Sequence, residues 1–148
     1  MDIKERTSEA VSSPETPARG SGAGRIALLA IGDAIVFIVF AFIGMRSHKE
    51  SLTLSAVLIT AAPFAIGWFL VSPFVGAFRR SVTSQVGKMS LRTVLAWLAA
   101  WPVGLLLRGI TRQEIPPVTF ALITLVTNAI FLQIWRVPFA WIVSRRKR

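Results

Sequence analysis

The sequence predicts an all-α polytopic membrane protein with four transmembrane helices and both termini on the cytoplasmic side. Three observations predict it. Hydrophobic residues make up 53% of the 148-residue chain and charged residues only 16%, against about 25% charged in an ordinary soluble domain. The apolar residues gather into four long runs with almost no polar face, whereas a helix at the surface of a soluble core keeps one side for water. The seventeen Lys and Arg residues flank those runs unevenly, which sets an orientation.

Residues 1–24 are rich in Ser, Thr, Glu, Pro and Gly and end in Arg19-Gly-Ser-Gly-Ala-Gly24. They bury too little apolar area to offset the entropy of ordering, and are expected to form a disordered cytoplasmic tail. A secretory signal is not expected, because the charged stretch is too long and the apolar run behind it is of full membrane length.

Residues 25–144 are expected to form the transmembrane domain. The first span, about 26–45, lies between Arg25 and Arg46. At roughly 1.5 Å per residue it covers about 30 Å, one hydrocarbon core. The second run extends from Leu52 towards Phe78 and stops at Arg79-Arg80. Pro63 and Pro73 are expected to kink it or end it early, leaving a span at about 52–72 with the remainder at the inner interface. The third, about 91–107, is short, with Arg92 snorkelling to the headgroups at one end and Arg108 closing the other. The fourth, about 118–143, begins after Pro116-Pro117, a favourable helix start. Residues 145–148 form a basic tail.

Orientation follows from the basic residues. Lys4, Arg6, Arg19 and Arg25 precede the first span; Arg79, Arg80, Lys88 and Arg92 surround the second connection; Arg145 to Arg148 close the chain. The opposite side has only Arg46, Lys49, Arg108 and Arg112. The positive-inside rule therefore places both termini in the cytoplasm of a cell whose inner membrane holds the protein.

Two ionisable residues interrupt the apolar spans, Asp33 in the first and Arg136 in the fourth. Each costs about 2.5–3.5 kcal/mol at a helix centre on an insertion scale, so each is expected to face the bundle interior and find a partner. Asp33 lies about 12 Å from Arg25 along its helix and Arg136 about 13.5 Å from Arg145. The two levels match, and an Asp33–Arg136 ion pair joining the first and fourth spans is expected. Such a pair reads as an assembly device, because the arginine neutralises the carboxylate. A proton- or cation-coupled carboxylate is the alternative.

Helical spacing places Asp33, Phe37, Phe40, Gly44 and Ser47 on one face of the first span, with His48 near its outer end. Thr60, Phe64 and Gly67 share a face of the second. Trp97, Trp101, Gly104 and Arg108 share a face of the third, which also carries the small-residue run Ala96-xxx-Ala100-xxx-Gly104. On the fourth, Ala129, Gln133, Arg136 and Ala140 form a small and polar stripe, with Asn128 about 80° away from Arg136. Most of these stripes are expected to be helix packing; the alternative is that Asn128, Gln133 and Asp33 line a path. At the outer face Arg46, His48 and Arg108 are candidates to approach one another, as interfacial anchors or as a site for an anion or lipid headgroup. Tryptophans 135 and 141 fit the interfacial habit of this residue, but Trp97 and Trp101 lie too deep for that, and at least one is expected to pack inward.

Several of these residues occur in a recognisable order: Gly32-Asp33-Ala34, Phe40-xx-Ile43-Gly44, Ser47-His48, Thr60-Ala61-x-Pro63-Phe64-xx-Gly67-Trp68, and Trp135-Arg136. Together they resemble a prokaryotic family of small membrane proteins, domain of unknown function 3054, over about Arg25 to Arg136. The family pattern has a basic residue directly after the Ile-Gly pair, where this chain has Met45 and then Arg46. The resemblance implies a four-helix membrane protein and no particular activity. It singles out Asp33, His48, Pro63, Gly67, Trp68, Arg108 and Arg136, with Pro63, Gly67 and Trp68 as a packing motif.

Composition narrows the function classes. The absence of cysteine and the single histidine exclude disulfides, thiolate chemistry and an intrachain multi-histidine metal site, and no cofactor is called for. The net charge of +10 belongs to span-flanking positions, not to a basic stripe interleaved with aromatics, so nucleic acid is not an expected partner. His48 with Glu50 is too little for an enzyme acting on lipid. What remains is a non-enzymatic accessory or structural membrane component, in contact with lipid and with its own copies or a larger membrane complex. The alternative is a small-solute or ion permease using Asp33 and the polar residues of the fourth span.

Overall fold

The computed structural model describes residues 20–148; the tail expected from composition lies outside the described residues apart from its final glycine-rich stretch. The described chain forms α1 (Gly20–Ser47), α2 (Leu54–Val75), α3 (Arg80–Thr83), α4 (Val86–Arg112) and α5 (Val118–Arg145). All but the single-turn α3 are long and apolar enough to cross a bilayer. The protein is an all-helical, polytopic membrane bundle of four spans.

The helices outrun the apolar segments that announce them. α1 already includes the stretch from Gly20 to Gly24, because once a helix is nucleated each further residue adds a hydrogen bond. α4 runs past both ends of the 91–107 segment. An apolar run measures contact with lipid, and the hydrogen-bonded helix continues into the interface. Arg92 therefore lies well inside α4, where its Nη1 donates to the carbonyl of Val75 at 3.0 Å and satisfies an acceptor at the C-terminus of α2.

α2 passes through Pro63 and Pro73 as one helix and does not stop at Ser72. Pro63 withholds one N–H from the preceding turn, a loss that membrane helices tolerate when neighbours hold the backbone. Thr53 caps the start, its hydroxyl accepting from the Ala56 N–H at 3.2 Å. The end is set by Gly76, whose φ of 79° suits glycine. There the Gly76 N–H reaches Pro73 O at 3.1 Å and the Ala77 N–H reaches Ser72 O at 3.0 Å, closing the helix as a Schellman turn.

Each long helix packs against two others, in the ring order α1, α2, α4, α5, with α2 against α4 the most extensive contact. Leu29 near the start of α1 packs with Val82, Phe139 and Ala140, so the beginning of α1, the end of α5 and α3 share one end of the bundle. This is the terminal end; the other is the distal end. Phe37, Phe64, Trp68 and Trp97 fill the centre with ring centroids 5.6–6.5 Å apart, a spacing that favours tilted aromatic contact. Outside, Ile31, Ile59, Leu106 and Ile134 are each more than half exposed, and form the surface offered to lipid.

Glycine sets the α2–α4 distance. A Cβ on Gly67 would stand 3.0 Å from both the Ala100 carbonyl oxygen and the Gly104 nitrogen, and one on Gly104 would press on Phe64. Small residues let membrane helices approach until their backbones touch.

Candidate functional site

Asp33 and Arg136 are held at the same level because α1 and α5 are antiparallel neighbours and both residues are on buried faces. Both side chains are 0% exposed. The guanidinium grips the carboxylate twice, Nε to Oδ1 at 2.9 Å and Nη2 to Oδ2 at 2.5 Å. Such a fork-to-fork contact fixes geometry as well as charge.

Further contacts surround the pair. Trp68 Nε1 donates to Asp33 Oδ2 at 2.9 Å. Arg136 Nη1 donates to the carbonyl of Ala77 at 3.0 Å and lies 3.9 Å from the Met89 sulfur. The guanidinium carbon sits 4.9 Å from the Trp68 ring centre and 4.8 Å from that of Phe78, within the range of cation–π attraction. Buried charges are stable only when paired and hydrogen-bonded in this way. Towards the terminal end the pair is covered by the turn after α2, through Ala77 and Phe78. That turn is tied down by Arg25, whose Nη1 donates to Phe78 O at 3.3 Å and also to the Thr83 hydroxyl.

Two neighbouring positions make this contact geometrically accessible. Gly32, directly before Asp33, has no side chain where the Trp135 indole lies; a Cβ there would overlap the ring. Trp135 directly precedes Arg136, so the close approach of indole to α1 brings the following arginine to the carboxylate. Pro63 and Gly67 are buried with Trp68 on the inner side of α2.

The polar residues of α5 are arranged differently from the expected stripe. The buried line is Thr124, Asn128, Leu132, Arg136 and Ala140, so Asn128 and Arg136 share the interior face. Successive steps of four residues drift slowly around a helix, and a neighbour crossing at an angle follows that drift. Asn128 Nδ2 bonds back to Thr124 O at 3.1 Å. Gln133 is only partly buried, at the α4 side, with Nε2 donating to Ser90 O at 3.0 Å. Neither reaches the ion pair.

Trp97 is buried and Trp101 partly so; their indole N–H groups donate to the carbonyls of Leu125 and Ala121 on α5, at 2.9 and 3.0 Å. At the distal end His48 and Arg108 line one cavity, which Arg46 does not. Among the described residues no three His, Asp or Glu side chains converge as metal ligands.

Sequence reasoning missed Trp68 as a partner of Asp33, although an indole N–H at mid-membrane depth needs an acceptor and few are on offer. It also missed Ala77, Phe78 and Met89. A backbone carbonyl carries no sequence signal, and an aromatic beside Arg79-Arg80 reads as an interfacial residue.

No curated protein and no solved structure matches this chain. The family described as "protein of unknown function (DUF3054)" matches over residues 30–139, a stretch that takes in Asp33, Trp68, Arg108 and Arg136. The chain, a four-span helical membrane bundle with its acid and base locked together in the interior, belongs to that family.

Proposed function

We propose that this protein is a non-enzymatic accessory or structural component of the cell membrane, with both termini in the cytoplasm, acting with its own copies or within a larger membrane complex. One observation carries the reading: Asp33 and Arg136 are wholly enclosed, and the carboxylate is held by the arginine fork and by the Trp68 indole N–H. A carboxylate that carries a proton or cation across a membrane needs access to water from each side in turn, and here the arginine fork occupies it. The apolar exterior and short connections suit a component whose work is done by packing. The twelve basic residues on the side of the termini, against four on the other, support the orientation.

A permease is the second reading. It draws on Asn128 Oδ1, Gln133 Oε1 and Thr60 Oγ1, which are buried without a partner among the described residues, and such atoms suit an internal water line. The two readings separate in vesicles reconstituted with purified protein. No Asp33-dependent proton or cation flux is expected, and a flux abolished by Asp33→Asn would overturn the accessory role. Purification from native membranes in a mild detergent is expected to retain a stable membrane partner or a homo-oligomer. Impermeant labelling of engineered cysteines at residues 2 and 147 is expected to modify neither from outside intact cells.

A further inference from the structure

At the distal end the four long helices enclose a cavity of about 380 Å³, large enough for a small ligand or a lipid headgroup. Five ionisable side chains line it, His48, Glu50, Arg108, Arg112 and Glu114. Among the described residues the one ion pair is that of Asp33 with Arg136, so the five converge on a common space without pairing with one another. Arg108 is held in place by stacking, its guanidinium carbon 4.2 Å from the centre of the Phe120 ring. Stacking uses the flat face of a guanidinium and leaves its in-plane N–H donors for an acceptor. Among the described residues no carboxylate comes within ion-pair distance of it. The Thr60 hydroxyl, buried and unpartnered, lines the same cavity. Phe40, Met45 and Ile123 contribute apolar wall.

The lining therefore has two permanently charged guanidiniums, two carboxylates and an apolar side. A polyanion would be repelled by the glutamates and a simple cation by the arginines. A molecule with a phosphate at one end, an ammonium at the other and an apolar stem meets all three features. We propose that this cavity binds a phosphoethanolamine group, with Arg108 and Arg112 on the phosphate and Glu50 and Glu114 on the ammonium. Its source is either the headgroup of phosphatidylethanolamine, whose acyl chains then leave past the apolar wall, or free phosphoethanolamine. The site is separate from the Asp33–Arg136 pair, and its failure would leave the accessory role standing.

The test uses the full-length purified protein in detergent. In one arm native mass spectrometry measures retained phosphatidylethanolamine against phosphatidylglycerol; in the other, phosphoethanolamine is titrated against delipidated protein and thermal stabilisation is read. Binding in the first arm alone identifies the lipid, and in the second identifies the free ester as a sufficient ligand; either supports the site. Arg108→Gln is expected to weaken binding about tenfold or more, the loss of roughly one charge-assisted hydrogen bond. Gly44→Leu provides a route that leaves the charges alone: Gly44 lines the cavity, and a Cβ there meets nothing within 4 Å, so the larger side chain fills the space. It too is expected to weaken binding about tenfold or more, while Arg46→Gln, at the same end but outside the cavity, is expected to leave it unchanged. Absence of binding in both arms, equal binding in all variants, or preference for phosphatidylglycerol would overturn the proposal.

Discussion

Arg136 holds Asp33 by two parallel contacts, Nε to Oδ1 at 2.9 Å and Nη2 to Oδ2 at 2.5 Å, across the interface of the first and last long helices. The two residues are 103 positions apart in the chain. Their contact closes the ring of helices, because α1 and α5 are neighbours without a direct chain connection. It also fixes register. A slip of either helix by one residue would move one charged group about 1.5 Å along the axis and turn it about 100° out of the interior.

Breaking the pair from either side is expected to be costly. Asp33→Asn and Arg136→Gln should each destabilise the bundle by about 3–5 kcal/mol, because each leaves a buried charge without its counterpart. Replacing both in one chain, Asp33→Asn with Arg136→Gln, should cost much less than the sum of the two losses, because no buried charge is then left unpaired. Unfolding in detergent of the four proteins gives the coupling energy directly, and additive losses would contradict the pairing described.

Trp68→Phe isolates one hydrogen bond. The phenyl ring keeps the aromatic packing against Phe37 and Trp97 but cannot donate to Asp33 Oδ2, leaving that oxygen with Arg136 alone. A loss of about 1.5–3 kcal/mol is expected, in the range for a hydrogen bond to a charged group. Combined with Asp33→Asn the effect should shrink, and a cycle of thermal unfolding measurements reads the difference.

Glycine substitutions should separate by what surrounds them. Gly67→Ala presses on backbone atoms of Ala100 and Gly104 at 3.0 Å, which cannot rotate away, and a cost of about 1–3 kcal/mol is expected from overpacking. Gly44→Ala meets nothing within 4 Å and is expected to be neutral or stabilising by up to about 1 kcal/mol through helix propensity. Equal melting temperatures for the two variants would contradict a backbone-to-backbone α2–α4 contact at Gly67.

Gly32→Ala should act through Trp135. The added methyl group overlaps the indole, and moving that ring displaces the start of the Trp135-Arg136 step that delivers the guanidinium. The expected loss is about 1–3 kcal/mol. Gly32→Ala combined with Trp135→Ala should be less destabilised than the sum of the two, a difference readable by the same unfolding cycle.

The number of spans, and the charges that need partners within them, could be read from the chain because each has a local signature. Twenty apolar residues measure a bilayer whatever their neighbours do, and an aspartate eight positions inside such a run is conspicuous by itself. Matching the depth of Asp33 to that of Arg136 needs only the rise of a helix and a common starting plane. Depth is one coordinate, however, and angle around the bundle is another. Angle is where the expected α5 stripe through Ala129 and Gln133 departs from the buried line through Thr124, Asn128 and Leu132. Hydropathy could not indicate it, because lipid-facing and core-facing sides of a membrane helix are equally apolar.

The chain alone determined that four helices cross a membrane, that one acid and one base are stranded inside, and that both must be neutralised there. Those are consequences of solvation, and solvation acts residue by residue. The tertiary structure decided that Trp68 and the Ala77 carbonyl complete the pair, that Gly67 and Gly104 set how closely α2 and α4 approach, and that five charged or titratable side chains surround one distal cavity. These depend on which helix faces are turned towards each other. In a membrane that choice is made by shape and hydrogen bonding between helices, which no single segment carries.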